Sequence, residues 1–435
     1  MSSPPGESAL SPEPTVGASL VRTALAIAGT RVLLLVSGVV TSVLIARALG
    51  PEGRGQYAVL VAIAGTAVVL GHSSIEQAQV FLVGRGADMS VLSANAVWLG
   101  TLLGILVAGV TALVTVALEY PNPRAFQQPA LPIALLAVPL SIVVLLTNGL
   151  LVLSGRTRVL NRSMLLSGAV QFVLLVIAAI AHRLTVTTVV LAWTLSAGTP
   201  LLLTLHALRP HRAHISPGLA REAFGFGIRY HGAMVSRFLL LRVDVLILAA
   251  MKDDRSVGLY ALAVTLIELT NVATDAVSTA VLQRQTHLPL ALSARLTARV
   301  VGLSGGLAAI AATALLALSP TLVPLVFGQN FRDCVPALFA LGPGVVALAM
   351  ARSASSYLLR HNRPLVNSAI AFAALAVNAT LNLALIPRWG IVGCGLASSV
   401  AYVLLAIGHL IWLRQTAGLT SRDFKPDLAG LLRRD

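Results

Sequence analysis

Apolar residues gather along this chain into blocks of roughly twenty, separated by short polar joints. The strict alternation of a barrel strand and the narrow stripe of a soluble helix are both missing. A helical block of that length crosses about 30 Å of hydrocarbon. The pattern predicts about twelve spans, over residues 20–47, 57–83, 91–118, 130–153, 163–182, 186–208, 223–250, 257–282, 298–318, 335–358, 365–386 and 391–413. Pro132 and Pro139 interrupt the fourth. The longest joints, 209–222 and 283–297, are about 14 residues and leave no room for a soluble domain. The expected fold is an all-α polytopic membrane protein.

Composition sharpens this picture. Hydrophobic residues make up 57% of the 435 and charged residues 11%, with mean hydropathy +0.86, where a soluble chain carries about a quarter charged residues. The first 18 residues, rich in Pro, Ser and Glu, are expected to be a disordered cytoplasmic tail, and they lack the basic start and apolar core of a signal peptide. Residues 414–435 form a second, basic tail. With twelve spans and a cytoplasmic N-terminus, 18 Lys and Arg residues fall on the inner side and 8 on the outer, leaving five of the 31 within spans. That bias places both termini inside. The net charge of +15 is then a topology signal with attraction to anionic membrane lipids. It is dispersed among loops and matches no nucleic-acid-binding module. Two lysines against 29 arginines fit a GC-rich bacterial genome. Cys334 and Cys394 lie near the outer ends of their segments, paired or free; no metal-ligand spacing and no cofactor motif occur, the phosphate-binding GxxxxGK[ST] included.

One corner is written twice. VLIARALGPEGRGQYAVLV (43–61) and VLILAAMKDDRSVGLYALAV (245–264) both run from an apolar stretch through a charged loop into Gly-x-Tyr-Ala, so Gly55 and Tyr57 recur as Gly258 and Tyr260. A second echo pairs GRTRVLNRS with RHNRPLVNS, Asn161 with Asn367. Two echoes in the same order predict two pseudo-symmetric six-helix halves, 19–208 and 223–413, joined by a linker at 209–222 and enclosing a central cavity. In the corner itself, Gly is expected to allow a tight turn and Tyr to anchor at the membrane interface.

ARALGPEGRGQYA, LLLRVDVLIL, VGLYALA and the later IPRWGIVGCGLAS occur in an order that resembles the polysaccharide exporters of the multidrug/oligosaccharidyl-lipid/polysaccharide (MOP) superfamily, the O-antigen (Wzx-type) flippases. The resemblance covers most of residues 20–413. It implies a bacterial plasma-membrane flippase moving an undecaprenyl-diphosphate-linked oligosaccharide to the outer leaflet, with glycan polymerase and glycosyltransferases as partners.

Charges at membrane depth are costly and mark pathways. Span 7 carries Arg229, Tyr230, His231, Arg237, Arg242 and Asp244; on one continuous helix Tyr230, Arg237 and Asp244 share a face within roughly 40°. Span 8 carries a stripe of Thr265, Glu268, Asn271, Asp275 and Ser278, and span 2 an i, i+4 pair of His72 and Glu76. Given the implied substrate, Arg31, Arg237 and Arg352 are expected to converge on its diphosphate, with Arg229 and Tyr230 receiving the headgroup. Glu76, Glu268, Asp275 and Asp244 are the candidates for proton or sodium coupling. Against these stand structural readings: an Arg237–Asp244 ion pair, a satisfied His72–Glu76 pair, Arg242 and Asp244 near the outer surface that snorkel or pair, with Arg242→Ala tolerated, and Asn378 and Asn382 joining helices. The alternative functions are small-molecule export on the same fold and, lacking a large outer loop or acidic motif to support it, a membrane-embedded glycan-polymerising enzyme.

Overall fold

The computed structural model describes residues 16–118, 130–272, 274, 288–360 and 364–425, with side chains described from Leu33 onward apart from 118, 213, 356, 358–360 and 364. Most of the expected N-terminal tail and residues 426–435 of the basic tail lie outside the described residues. The described chain is helical, without a strand: α1 (Val16–Gly71), α2 (Ile75–Gly84), α3 (Met89–Leu118), α4 (Ala130–Leu153), α5 (Thr157–Ile180), α6 (Val186–Leu208), α7 (Pro217–Leu240), α8 (Val243–Met251), α9 (Asp254–Glu268), α10 (Leu290–Phe327), α11 (Val335–Arg360) and α12 (Pro364–Ala417). Among the described residues, eight stretches are long and apolar enough to cross a membrane.

Two of these helices are double passes. Straight, the 56 residues of α1 would measure about 84 Å, far beyond the bilayer core. Gly50, at φ 65° and ψ −174°, folds it back, and Pro51 opens the second limb where its missing N–H costs nothing. Gly390, at φ 54°, does the same within α12. Other passes are interrupted. The second stops at Gly71 and restarts at Ile75, and the seventh is split at Leu241–Arg242 into α7 and α8. In contrast, Pro139 does not end α4. It packs against Gly104 of α3, where a Cβ would lie 2.4 Å from the proline Cα. Three residues of the expected N-terminal tail already belong to α1, and α7 starts inside the expected linker. The chain after Leu413 also folds back: Leu419 is buried against Leu413 and Tyr357.

α1 to α6 form one half and α7 to α12 the other. In the first, α4 is the central helix, its Ile142, Leu146 and Leu150 fully buried. In the second, Tyr260, Leu338 and Ile386 share a core with Val59 and Ile63 of the first half. Large apolar side chains such as Ile105, Leu113, Ile180, Leu202 and Ile310 face outward, as a lipid-embedded surface requires.

The halves touch at two levels. At the end carrying the Gly50 and Gly390 bends, the two repeated corners pack on each other. A Cβ on Gly55 would lie 1.8 Å from the Asp254 carbonyl oxygen, and one on Gly258 would lie 1.8 Å from that of Pro51. Gln56 donates to Asp254 at 2.9 Å, and Arg47 caps the last carbonyls of α10, Leu325 at 2.6 Å and Val326 at 2.7 Å. At the opposite end, α2 packs along α7: Phe81 stacks on Phe226 at 4.6 Å and Arg85 pairs with Glu222 at 2.8 Å. The expected role of the repeated corner changes accordingly. Neither Gly55 nor Gly258 has positive φ; the turn is made by Gly50, and the repeated glycines are there because backbones cross. Tyr260 is not an interfacial anchor either, being fully buried.

Candidate functional site

Between these two contact levels lies a cavity with about 970 Å³ of empty space, walled by both halves. Its polar groups are Arg54 and Tyr57 from the second limb of α1, Arg242 at the α7–α8 break, and Thr265 and Glu268 from α9. Arg54 is almost fully buried. Its guanidinium donates to the Ser42 carbonyl at 3.1 Å, the Ser42 hydroxyl at 3.0 Å and Thr265 of the other half at 3.3 Å. Arg242 and Glu268 lie 3.5 Å apart, each more than a third exposed toward this space.

A second cavity, with about 470 Å³ of empty space, lies within the C-terminal half among α7, α11 and α12. Arg237 and Arg352 both line it, with Ser355, Asn367 and His409 among its polar groups and leucines and alanines as the rest of its wall. Asn367 Oδ1 and His409 Nε2 are 2.8 Å apart. Two guanidiniums on separate helices line one apolar-walled space. The structure thus brings together two of the three expected arginines. For Arg31 the backbone lies in α1, and its side chain is outside the described residues.

Asp244 stands apart from Arg237, because the break at Leu241–Arg242 ends the continuous face that would have aligned them. Its carboxylate is buried and takes the Tyr260 hydroxyl at 2.5 Å, the Ser398 hydroxyl at 3.0 Å and its neighbour's Val245 N–H at 2.8 Å. Asn378 donates to Ser398 at 3.3 Å and Asn382 to Asn378 at 2.9 Å. This network ties α8 and α9 to both limbs of α12, so the two asparagines join helices as expected. Cys334 and Cys394 are both buried and free.

His72 and Glu76 do meet, at 3.1 Å, but not as neighbours on one helix: Ser73 and Ser74 between them are left-handed. Across the break His231 of α7 contacts the Ser74 hydroxyl, 3.2 Å from its Nδ1, and stacks edge-on to His72. Tyr230 packs on Phe226, and Arg229 is exposed; neither lines the two cavities. After Glu268 a turn at residues 269–270 interrupts span 8; Asn271 of the expected stripe lies beyond it and is buried, and Asp275 and Ser278 lie outside the described residues. Among the described residues, no group of three His, Cys, Asp or Glu side chains is gathered for a metal ion.

Sequence reasoning missed Arg54, and it expected Arg242 to snorkel or pair at the outer surface, whereas its partner in the fold is Glu268 in the cavity wall. Arg54 follows Gly50 by only four residues and reads as loop, yet the tight bend returns it to the wall between the halves. Arg242 reads as a snorkelling outer residue, yet the helix break turns it into the cavity. Arg54 at least lay inside the first copy of the corner, whereas Arg242, three residues before the second copy, carried no such signal.

A family model described as "Polysaccharide biosynthesis protein" matches residues 21–282. No curated protein matches the chain. Among solved structures, a multidrug resistance MATE family transporter of the MOP superfamily, in an inward-facing conformation, is similar at TM-score 0.66 and 14% identity, covering 88% of this chain and 94% of its own. The lipid II flippase MurJ, inward closed, is similar at TM-score 0.68 and 12% identity, over 92% and 89%. The MATE transporter VcmN from Vibrio cholerae, in its bent form, gives 0.60 at 14%, over 94% and 99%. At such identities the likeness speaks for the fold alone.

Proposed function

The chain belongs to the polysaccharide biosynthesis protein family, and within it we propose that this protein flips a polyprenyl-diphosphate-linked oligosaccharide from the inner to the outer leaflet of a bacterial plasma membrane. The end carrying the termini is taken as cytoplasmic, in accord with the arginine bias of the loops. The observation that carries the reading is the convergence of Arg237 and Arg352 on one cavity. A diphosphate leaving water needs permanent positive charge and forked donors, which guanidinium supplies and ammonium does not. Arg54 and Arg242 in the space between the halves extend the same chemistry along the route. The chain then works by alternating access, with a gradient supplying the drive at about 2.3 kcal/mol per charge per 100 mV. Glycosyltransferases supply the substrate and a glycan polymerase consumes it.

The test is accumulation in a deletion strain. Mass spectrometry of membrane lipids should find a polyprenyl-diphosphate oligosaccharide building up on the cytoplasmic side. Normal surface polysaccharide with no such lipid would overturn the reading. It would favour ion-coupled export of a small molecule, for which Glu268 places a carboxylate in the cavity between the halves.

A further inference from the structure

The joint between the halves borders a third space. It is a groove with about 1100 Å³ of empty volume on the flank of the N-terminal half, between α3 and residues 210–215. Its floor is one face of α3. Trp98, Leu102 and Ile105 follow at intervals of four and three residues and are 39%, 51% and 61% exposed. Thr101 adds no polarity there, because its hydroxyl donates to the Val97 carbonyl at 2.7 Å. From Ala94 to Ile105 the floor runs about 16 Å along the helix axis. Trp98 lies toward the α3 end that adjoins the joint, the depth at which an indole marks the boundary of headgroups and hydrocarbon.

The other wall is basic. His211 and Arg212 line the groove with Pro210 and Ile215, in a joint that reads RPHRAHIS from Arg209 to Ser216. The chain has no Asp or Glu between Glu119 and Glu222. On the neighbouring elements, Asp88 accepts the Ser90 N–H at 2.8 Å and interacts with His214, and Glu222 is paired with Arg85 at 2.8 Å. The wall is also fixed in place. Asn95 of α3 holds the backbone of Ser216 twice, donating to its carbonyl and accepting its N–H, each at 3.0 Å. Ser216 is in turn the N-cap of α7, its hydroxyl accepting the Leu219 N–H at 3.4 Å. At the start of the joint, Arg156 caps α6 through the Ala207 carbonyl.

We infer that this groove binds one anionic phospholipid of the inner leaflet, with its phosphate on Arg212 and His211 and an acyl chain along the face of α3. This lipid stays with the protein and is distinct from any exported one. The guanidinium fork matches phosphate oxygens, and a basic pocket beside a membrane-spanning helix at this surface attracts negative headgroups. A zwitterionic lipid would bring its own ammonium against Arg212 in a wall without a carboxylate to receive it. One wall of the groove belongs to the first half and the other leads into α7 of the second. A lipid seated there therefore holds the start of α7 against α3.

The test uses the full chain in phosphatidylcholine vesicles, with no exported lipid present. Trp193→Phe, Trp389→Phe and Trp412→Phe leave Trp98 as the one indole. Phosphatidylglycerol or phosphatidylcholine, each brominated along one acyl chain, is added in steps, and quenching of Trp98 fluorescence is followed. Half-maximal quenching should need about fivefold less phosphatidylglycerol, the effect of about one basic side chain near an anionic surface. Arg212→Gln combined with His211→Gln should make the two lipids equal and leave quenching by phosphatidylcholine unchanged. Arg158→Gln, at an exposed position at the same end on α5, should keep the preference. Equal quenching by both lipids before these substitutions would show ordinary boundary lipid and overturn the inference. So would a preference that survives the double substitution, or one that Arg158→Gln abolishes as well. If the phenylalanine background does not fold, native mass spectrometry of the protein with all four tryptophans gives the second measurement. One retained phosphatidylglycerol should be lost in the Arg212 and His211 variant, and equal retention overturns the inference. Neither measurement involves transport, so a failure here leaves the flippase reading intact, and failure to find the accumulated glycolipid leaves this site intact.

Discussion

Gly55 and Gly258 occupy the same place in the two halves and cross backbone to backbone, each with a carbonyl of the other corner 1.8 Å from where its Cβ would be. The pseudo-symmetry axis therefore runs through this contact, which closes the cavity at the end carrying the Gly50 and Gly390 bends, the outer end under the orientation proposed above. In a transporter whose halves rock against each other, this contact has to form and separate once per cycle.

The glycine contact yields the first prediction. Gly55→Ala or Gly258→Ala puts a methyl into a backbone carbonyl that cannot move aside as a side chain would. Overpacking of this kind costs about 1–3 kcal/mol, and here the cost falls on the closed outer end alone. Both variants should reach the membrane in normal amount and lose transport. A cysteine at Val61, which lines the cavity between the halves, should react faster with an impermeant maleimide added outside. Unchanged labelling would mean that this crossing is not the outer closure.

The C-terminal cavity supports a second. Arg237→Ala and Arg352→Ala should each reduce flipping by roughly tenfold or more, since a hydrogen bond to a charged group contributes about 1.5–3 kcal/mol. Lysine at either position should restore little, because it keeps the charge but loses the fork that matches a phosphate. The assay is appearance of the lipid-linked glycan in the outer leaflet, normalised to protein in the membrane. Full activity in both alanine variants would remove this cavity from the route.

Arg242 separates what the sequence expects from what the structure places. As a snorkelling residue it would tolerate Arg242→Ala. In the fold it faces Glu268 across 3.5 Å in the cavity between the halves. The pair is partly exposed, and pairs of that kind contribute about 0–1 kcal/mol to stability. Arg242→Ala should therefore shift the thermal midpoint by only a few degrees and still abolish transport. Retained transport would return Arg242 to a structural role.

Much of the architecture was legible because membrane burial writes long, uninterrupted apolar blocks, and because the Gly-x-Tyr corner was copied closely enough to show two halves. What stayed hidden depends on breaks with weak local signals. Nothing in FLLLRVDV marks Leu241–Arg242 as the end of a helix, so a single helical wheel put Asp244 with Arg237 when it belongs with Tyr260 and Ser398. Likewise the His72–Glu76 spacing looked like one helical turn and is a strained break closed from the other half. The repeat correctly singled out Gly55 and Gly258, but only tertiary packing distinguishes a glycine that turns the chain from one that lets two chains cross.

The second corner also contains a pH-sensitive cap. Asp253 is the N-cap of α9, and its carboxylate accepts the Ser256 N–H at 2.9 Å. Hydrogen bonds from the Ser256 side chain and backbone hold its pKa below the ordinary carboxylate value. A depressed folded-state pKa contributes stability that is present above the unfolded value near 3.9 and is lost as pH falls through the folded one. Asp253→Ala should remove this contribution at neutral pH, where an N-cap is worth about 0.5–2 kcal/mol. The gap in thermal midpoint between the two proteins should narrow as the pH is lowered from 7 toward 3, because the aspartate of the unsubstituted protein is itself becoming neutral. A gap that stays constant across that range would show that packing at the corner, and not the charged cap, sets the effect.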